Sequence, residues 1–149
     1  MSDGGRQVER SIEPNRSEST PRRFAVLLHD HPLLHWDLLV EDGETLKTWR
    51  LPNDPCQHDV MTAEEIAPHR RIYLDYEGPV SGGRGAVRRV AAGIAGVSEM
   101  SADLIVLDAI LLEGTLAEDA GSRWERVELT RIGGPQWRFQ IRCLGNAPD

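Results

Sequence analysis

Short runs of β-branched, aromatic and other apolar residues recur about every ten residues from residue 24 onward, separated by glycine, proline, asparagine and aspartate. This spacing constrains the fold more than any other feature, because many short strands bury their apolar faces only as a sandwich or a barrel. There is no internal repeat and no long amphipathic helix. The sequence therefore predicts an all-β sandwich or barrel. The expected strands are 24–28, 36–41, 45–51, 70–76, 87–92, 104–116, 124–132 and 137–144.

Turn residues mark the ends of the first strands. The pair at 42–43, Asp-Gly, is typical of a hairpin turn. The prolines of 52–60 predict a loop, because proline fixes φ and cannot donate to a sheet ladder. Thr62 and Glu65 have the spacing of a capping box, which predicts one short helical turn that ends near Pro68.

Three features of the second half of the chain refine this prediction. The four glycines and one proline of 78–85 indicate a turn or a close approach of the backbone to another group. The strand 104–116 is expected to bend or split near Asp108. The last two strands should form a hairpin around 133–135, with Trp124 and Trp137 packed in it.

The length of 149 residues fits one domain with its own core. We expect the folded domain to span 24–144, with a flexible tail at 1–23 and a short one at 145–149. The first tail mixes both charges with Ser, Gly and Pro and lacks the apolar segment of a secretory signal. The longest apolar stretch, 104–112, is too short to cross a bilayer, so no membrane span is expected.

Charge and cysteine content narrow the functional class. The net charge of −7 counts against coating a nucleic-acid duplex, which requires many lysines and arginines, although a local basic patch could still hold one strand end. Cys56 and Cys143 lie far apart and outside any metal-binding spacing. We therefore expect a cytoplasmic protein without a disulfide framework, and a monomer.

Three of the five histidines and two aspartates fall within residues 29–37. If 36–41 is a strand, His35 and Asp37 share its polar face, since the Trp36 face is apolar. His29 ends the preceding strand and could join them across a short loop. Two imidazoles and one carboxylate are a common ligand set for Mn²⁺, Fe²⁺ or catalytic Zn²⁺. The alternative is a hydrogen-bonded surface pair, with His31 as a loop residue.

A further histidine, His69, is followed directly by Arg70 and Arg71. Imidazolium and guanidinium groups both donate hydrogen bonds to phosphate oxygens, so this segment is a candidate phosphate contact. A solvated loop is the alternative from the residues alone.

These residues belong to a longer pattern. The chain resembles the 3′-phosphoesterase domain of bacterial end-joining DNA ligases over roughly residues 24–90, as a divergent, stand-alone member. The strings that carry the resemblance are His29-x5-His35-Trp36-Asp37-x3-Glu41, Asp42-Gly43-x2-Leu46-Lys47-x-Trp49-x2-Pro52, His69-x3-Tyr73-x2-Tyr76-Glu77-Gly78 and Gly83-x-Gly85-x-Val87.

The resemblance implies a mainly β fold, a compact antiparallel β-barrel with one or two short helical turns. It also implies removal of a 3′-ribonucleoside or a 3′-phosphate from DNA or a DNA/RNA primer-template. It assigns His29, His35 and Asp37 to a divalent metal, Mn²⁺ first, with Zn²⁺ or another first-row ion as alternatives. His69 and Tyr73 fall on phosphate-contacting, catalytic positions. A separate DNA ligase or polymerase is the implied protein partner.

The chain also departs from the family pattern. Leu39, Asn53 and Met61 stand where the family has cations that contact phosphate, and Ala67 replaces an acidic residue. Charge-assisted phosphate contacts contribute about 1.5–3 kcal/mol each, so their loss bears directly on catalysis. Two alternatives follow, a non-catalytic binding or scaffold module of an end-joining system and a phosphoesterase for small molecules. The arginines that could compensate from new directions are Arg50, Arg70, Arg71 and Arg84.

Overall fold

The computed structural model describes residues 21–114 and 124–142. A single 3-10 turn, Arg71–Leu74, stands among the strands of these residues. The strands are β1 (Pro21–His29), β2 (His35–Asp42), β3 (Thr45–Leu51), β4 (Val60–Arg70), β5 (Gly78–Pro79), β6 (Ala86–Met100), β7 (Leu104–Leu112), β8 (Arg126–Gly133) and β9 (Gln136–Arg142).

Eight of these strands close into an antiparallel barrel. The order around the barrel is β1-β2-β3-β4-β9-β8-β7-β6, and β6 pairs with β1 to complete the ring. The two-residue β5 adds to the edge of β6 outside this ring. The predicted mainly β barrel is confirmed. Closure removes the open sheet edges that would otherwise invite pairing with other chains.

The barrel interior is filled by apolar side chains. Every barrel strand contributes to one buried cluster, with Trp49 and Trp137 edge to face at 5.5 Å between ring centroids. Trp124 stacks on Phe24 at 6.0 Å, so both tryptophans of the last hairpin are packed as expected. Since the interior is occupied, any functional site has to lie on the outside.

A second apolar cluster lies on the outer face of the barrel. Its strand residues come from β1, β2, β3 and β6, and Leu74 of the 3-10 turn packs onto them. We call residues 71–85, which cross this outer face, the covering segment. Ion pairs between Arg23 and Asp75 and between Arg71 and Glu41 connect it to β1 and β2.

Two predictions between residues 60 and 76 are wrong. Thr62 and Glu65 lie in β4, which pairs with β3 on one side and β9 on the other. The cap signal is local, and hydrogen bonds to two neighbouring strands outweigh it. The expected strand 70–76 is instead the 3-10 turn, because the chain leaves the barrel at Arg70 and folds Leu74 onto the outer cluster.

The remaining boundaries agree with the expectations or extend them, except that β7 ends at Leu112 and falls short of the predicted strand 104–116. The bend expected near Asp108 is present, since Ala109 has a φ of 49° and the β6–β7 register shifts beside it. β6 is 15 residues long and exceeds the predicted strand 87–92. β1 already begins at Pro21. The parts of the predicted tails at 1–20 and 145–149, and Cys143, lie outside the described residues.

In the described ranges, no helix has the length and apolar character needed to span a bilayer.

Candidate metal and phosphate site

The hairpin of β1 and β2 brings three candidate ligands together. His29 and His35 are direct cross-strand partners, and Asp37 lies opposite Leu27 two pairs further along. Leu38 points into the barrel while Leu39 packs in the outer cluster, so alternation places Asp37 and His35 on the outer face. One ligand atom from each of His29, His35 and Asp37 lies within 4.8 Å of the other two.

Backbone carbonyls set the orientation of both imidazoles. His29 Nε2 donates to the carbonyl oxygen of Arg84 at 2.8 Å, and His35 Nδ1 donates to that of Leu33 at 2.8 Å. A carbonyl can only accept, so these contacts require the hydrogen on those nitrogens. The lone pairs therefore lie on His29 Nδ1 and His35 Nε2, which are 3.9 Å and 3.4 Å from Asp37 Oδ2.

The cluster is largely shielded from water and incompletely hydrogen-bonded. His35 is 5% exposed and Asp37 2%. Among the described residues, His35 Nε2 and Asp37 Oδ1 are buried and have no hydrogen-bond partner. Unpaired buried acceptors destabilise a fold unless a ligand satisfies them. Two nitrogen lone pairs converging on a carboxylate fit a first-row divalent cation, and histidine ligands typically donate their other ring N–H to a carbonyl in this way.

A cleft of about 380 Å³ opens next to the cluster and contains the other two predicted site residues. His29 and Asp37 line it together with His69, at the end of β4, and Tyr73, in the 3-10 turn. The His69 and Tyr73 rings meet edge to face at 5.8 Å. His69 Nδ1 donates to the carbonyl oxygen of Ala67 at 3.1 Å, which leaves its Nε2 available. The structure thus brings all five predicted residues to one side of the molecule.

No protein-family model matches the chain. Among curated proteins, the multifunctional non-homologous end joining protein LigD of Pseudomonas aeruginosa is 32% identical over 73 residues. The chain is similar in part to an end-joining protein. The matched stretch covers 48% of this chain and 9% of LigD, so the chain corresponds to a small portion of that relative. The predicted relationship to the end-joining ligases is supported at this coarser level.

The structure gives physical reasons why two of the three departures from the family pattern, Leu39 and Met61, are not cations. Leu39 is fully buried in the outer cluster, and Met61 is 7% exposed in the barrel interior. A guanidinium in either place would be desolvated among apolar side chains. Asn53 is exposed in the loop after β3. Leu39 and Met61 therefore contribute to packing.

The four candidate replacement arginines differ in availability. Arg71 pairs with Glu41 and donates to the carbonyl oxygen of Gly43, and the Arg84 guanidinium bonds to Ser81. Arg70 is exposed at the rim of the cleft. Arg50 is the cross-strand partner of Asp37, and its buried Nε has no hydrogen-bond partner within 21–114 and 124–142.

Glu41, the last acidic residue of the first motif, is not part of the ligand cluster. Its carboxylate accepts from the backbone N–H of Arg23 at 2.8 Å and from the Arg71 guanidinium. Burial raises the pKa of Glu41, but these hydrogen bonds and charges outweigh it, and the pKa lies below its ordinary value. Glu41 therefore secures the covering segment.

Proposed function

We propose that this chain is a metal-dependent phosphoesterase that acts on nucleic-acid 3′ ends in DNA end joining, removing a 3′-ribonucleoside or a 3′-phosphate. The observation that carries the proposal is the convergence of His29 Nδ1, His35 Nε2 and the Asp37 carboxylate, with both imidazoles anchored through their other nitrogen. The partial similarity to LigD supports the end-joining context.

His29, His35 and Asp37 would hold the cation, with Mn²⁺ as the first choice and Zn²⁺ or another first-row ion as alternatives. When bound, such an ion polarises a phosphoryl oxygen and lowers the pKa of a water molecule. Three protein ligands leave positions for substrate and water, as a catalytic site needs.

His69 and Tyr73 are assigned to the phosphate. For a 3′-phosphate, a water oxygen bonds to phosphorus, the bond from phosphorus to O3′ breaks, and O3′ takes up a proton. His69 Nε2 is the nitrogen left for this proton transfer, since Nδ1 is committed to Ala67. The Tyr73 hydroxyl would orient the phosphate in the same cleft.

A strand end fits the charge of the molecule better than a duplex. The net charge of −7 repels the extended phosphate backbone, whereas Arg70 lies at the mouth of the cleft that holds His69. The proposed substrate is therefore the 3′ end of DNA or of a DNA/RNA primer-template. A separate ligase or polymerase would then use the 3′-hydroxyl end.

Purified protein with Mn²⁺ and labelled primer-templates ending in a 3′-phosphate or a 3′-ribonucleotide tests the proposal. We expect conversion to 3′-hydroxyl ends that is abolished by EDTA and by Asp37→Asn. His69→Gln should lower kcat by about 100-fold or more, while His58→Gln, in the exposed loop before β4, should retain activity. Untouched substrates alongside an active family enzyme would refute it, and turnover of generic phosphoesters alone would indicate a small-molecule phosphoesterase.

The burial of Leu39 and Met61 favours a second candidate, a non-catalytic module that keeps the barrel and binds another end-joining protein. Neither position leaves room for the phosphate contacts that the family pattern has there. Mn²⁺ binding without turnover, together with a co-purifying ligase or polymerase, would select this candidate.

A further inference from the structure

A second groove, of about 470 Å³, opens next to the ligand cluster and shares no lining residue with the His69 cleft. His35 lines this groove, whereas Asp37 and His29 line the cleft, so the cluster separates the two spaces. The groove is otherwise lined by the loop between β1 and β2, by Pro52, by β3 and β4, and by Gln136 of β9. None of the roles assigned above uses it.

Arg50 provides the positive charge in this groove. It is in register with Asp37 on β2 and with Glu64 on β4. Its Nε is buried without an acceptor, and within the described residues no carboxylate, including that of Glu64, pairs with it. A partly buried guanidinium with an unused donor is stabilised by an anion that enters the groove.

Leu33 and Leu34 provide an apolar wall. They are 78% and 58% exposed, and both line the groove directly beside His35. The carbonyl of Leu33 also holds the His35 ring, so this wall is fixed relative to the ligand cluster. Adjacent exposed leucines beside a cation suit a ligand with an apolar face and a negative charge.

We propose that this groove binds the nucleotide next to the reacting phosphate, with its phosphate on Arg50 and its sugar and base against Leu33 and Leu34. The inference rests on the proposed function for the location of the reacting phosphate in the His69 cleft. In this arrangement, Arg50 on β3 makes a phosphate contact in place of the one that the family pattern has at Leu39 on β2. The charge of Glu64, exposed beside Arg50, opposes the ligand.

The test is equilibrium binding of a fluorescein-labelled single-stranded DNA 12-mer to the Mn²⁺-loaded protein. The 12-mer ends in a 3′-hydroxyl and so offers no group to remove. We expect Arg50→Gln to weaken binding about tenfold or more and Leu34→Ser about threefold. Glu64→Gln should tighten binding, because it removes the repulsive charge.

The matched controls are the same two substitutions at exposed positions outside the groove. Arg142→Gln changes an exposed arginine on β9, and Leu111→Ser changes an exposed leucine on β7, 65% exposed. Both should bind the 12-mer within about twofold of the unmodified protein. Each variant's Mn²⁺ affinity and thermal unfolding are measured alongside, so that loss of fold or metal is recognised.

Equal effects of Arg50→Gln and Arg142→Gln, or an unchanged affinity for Leu34→Ser, would overturn the inference. Weaker binding in the groove variants without any hydrolysis by the unmodified protein would contradict the proposed function and leave the groove assignment standing. Hydrolysis of 3′-phosphate ends with an unchanged KM in Arg50→Gln and Leu34→Ser would contradict the groove assignment and leave the proposed function standing.

Discussion

At the residue scale, the ligand cluster depends on two backbone carbonyls as much as on its three side chains. The carbonyls of Leu33 and Arg84 fix which nitrogen of each imidazole carries the hydrogen, and thereby aim both lone pairs at Asp37. This arrangement leaves one buried oxygen of Asp37 without a partner in the part of the chain that the structure describes. Such a group is unfavourable for the fold alone, which is typical of functional sites.

The substitution Asp37→Asn separates metal binding from stability. We expect Mn²⁺ affinity to fall about 100-fold or more, because the only carboxylate of the cluster is lost. Without metal, the variant should unfold at the same temperature or higher, since the buried carboxylate charge of Asp37 is removed. Thermal melts with and without Mn²⁺, with titration calorimetry, measure both effects.

The unmodified protein serves as the control for Asp37→Asn, and Mn²⁺ at about 100 times its Kd should stabilise it by about 2.7 kcal/mol. A variant that still shows this rise, or that unfolds well below the metal-free protein, would assign Asp37 to the fold and not to metal binding.

At the element scale, the covering segment completes the site. It supplies Tyr73 and the Arg84 carbonyl, and its end approaches the loop after β1 very closely at Gly85. A Cβ at Gly85 would lie 2.2 Å from Asp30 Oδ1 and 2.6 Å from His31 Cβ. The close backbone approach predicted for the glycine-rich segment is present here.

Gly85→Ala should therefore weaken Mn²⁺ binding although no ligand is changed. The added Cβ forces the segment away from the loop and shifts the Arg84 carbonyl off His29. We expect about a 10- to 100-fold loss of Mn²⁺ affinity, as for other losses of a group that orients a metal-binding histidine, measured by titration calorimetry.

Gly83→Ala is the matched control for Gly85→Ala. Gly83 has nearly the same positive φ, 69° against 76°, but a Cβ there meets nothing within 4 Å. Equal loss of metal affinity in both variants would attribute the effect to backbone strain and not to the close approach.

The covering segment is also expected to loosen in acid. Hydrogen bonds from Arg23 lower the pKa of Asp75, and burial opposes this only partly. A carboxyl with a lowered folded-state pKa stabilises the fold above its ordinary value of 3.8, and this contribution is lost as pH falls through the folded-state pKa. The protection factors of the amide hydrogens of 71–85, which correct for the intrinsic pH dependence of exchange, should therefore fall below about pH 4.

Asp75→Asn should flatten this pH dependence and raise exchange at pH 7, by a modest amount because the pair is exposed. Asp103→Asn, which removes the exposed Asp103–Arg131 pair on another part of the barrel, should leave the exchange of 71–85 unchanged. An identical pH profile for the unmodified protein and Asp75→Asn would contradict the assignment.

At the scale of the whole molecule, barrel closure assigns stability and function to different surfaces. The interior is packed with apolar side chains from all eight strands. The outer face of β1, β2 and β3 carries the ligand cluster, the cleft and the groove. A closed, filled barrel thereby serves as a rigid support for a surface site.

A site of this size on an acidic molecule should bind the end of a single DNA strand, so its affinity should depend little on the length of the strand. With one or two phosphates contacted, log Kd for single-stranded DNA should change with log salt concentration with a slope of magnitude about 0.7–1.4. Oligonucleotides of 12 and 30 residues should bind within about threefold of each other. Anisotropy titrations at several salt concentrations measure both, and a slope of magnitude above about 3 would indicate an extended basic interface instead.

The sequence by itself determined the strands whose signals are local. Alternation and the turn at 42–43 defined the β2–β3 hairpin, and the segment 29–37 already contained all three candidate ligands. Thr62 and Glu65 show the limit of such signals. Their spacing is that of a capping box, but they lie in β4, where pairing with β3 and β9 outweighs the local preference. The grouping of His69 and Tyr73 with the cluster was expected only from the resemblance.

Only the tertiary structure decided how distant segments meet. Glu64 lies beside Arg50 because of the β3–β4 register, and the Arg84 carbonyl reaches His29 because the covering segment crosses the outer face. Leu39 could not be assigned to packing until that segment was seen to bury it. Such contacts form between segments that are separated along the chain. Neither secondary-structure propensity nor hydrophobic periodicity predicts which segments meet.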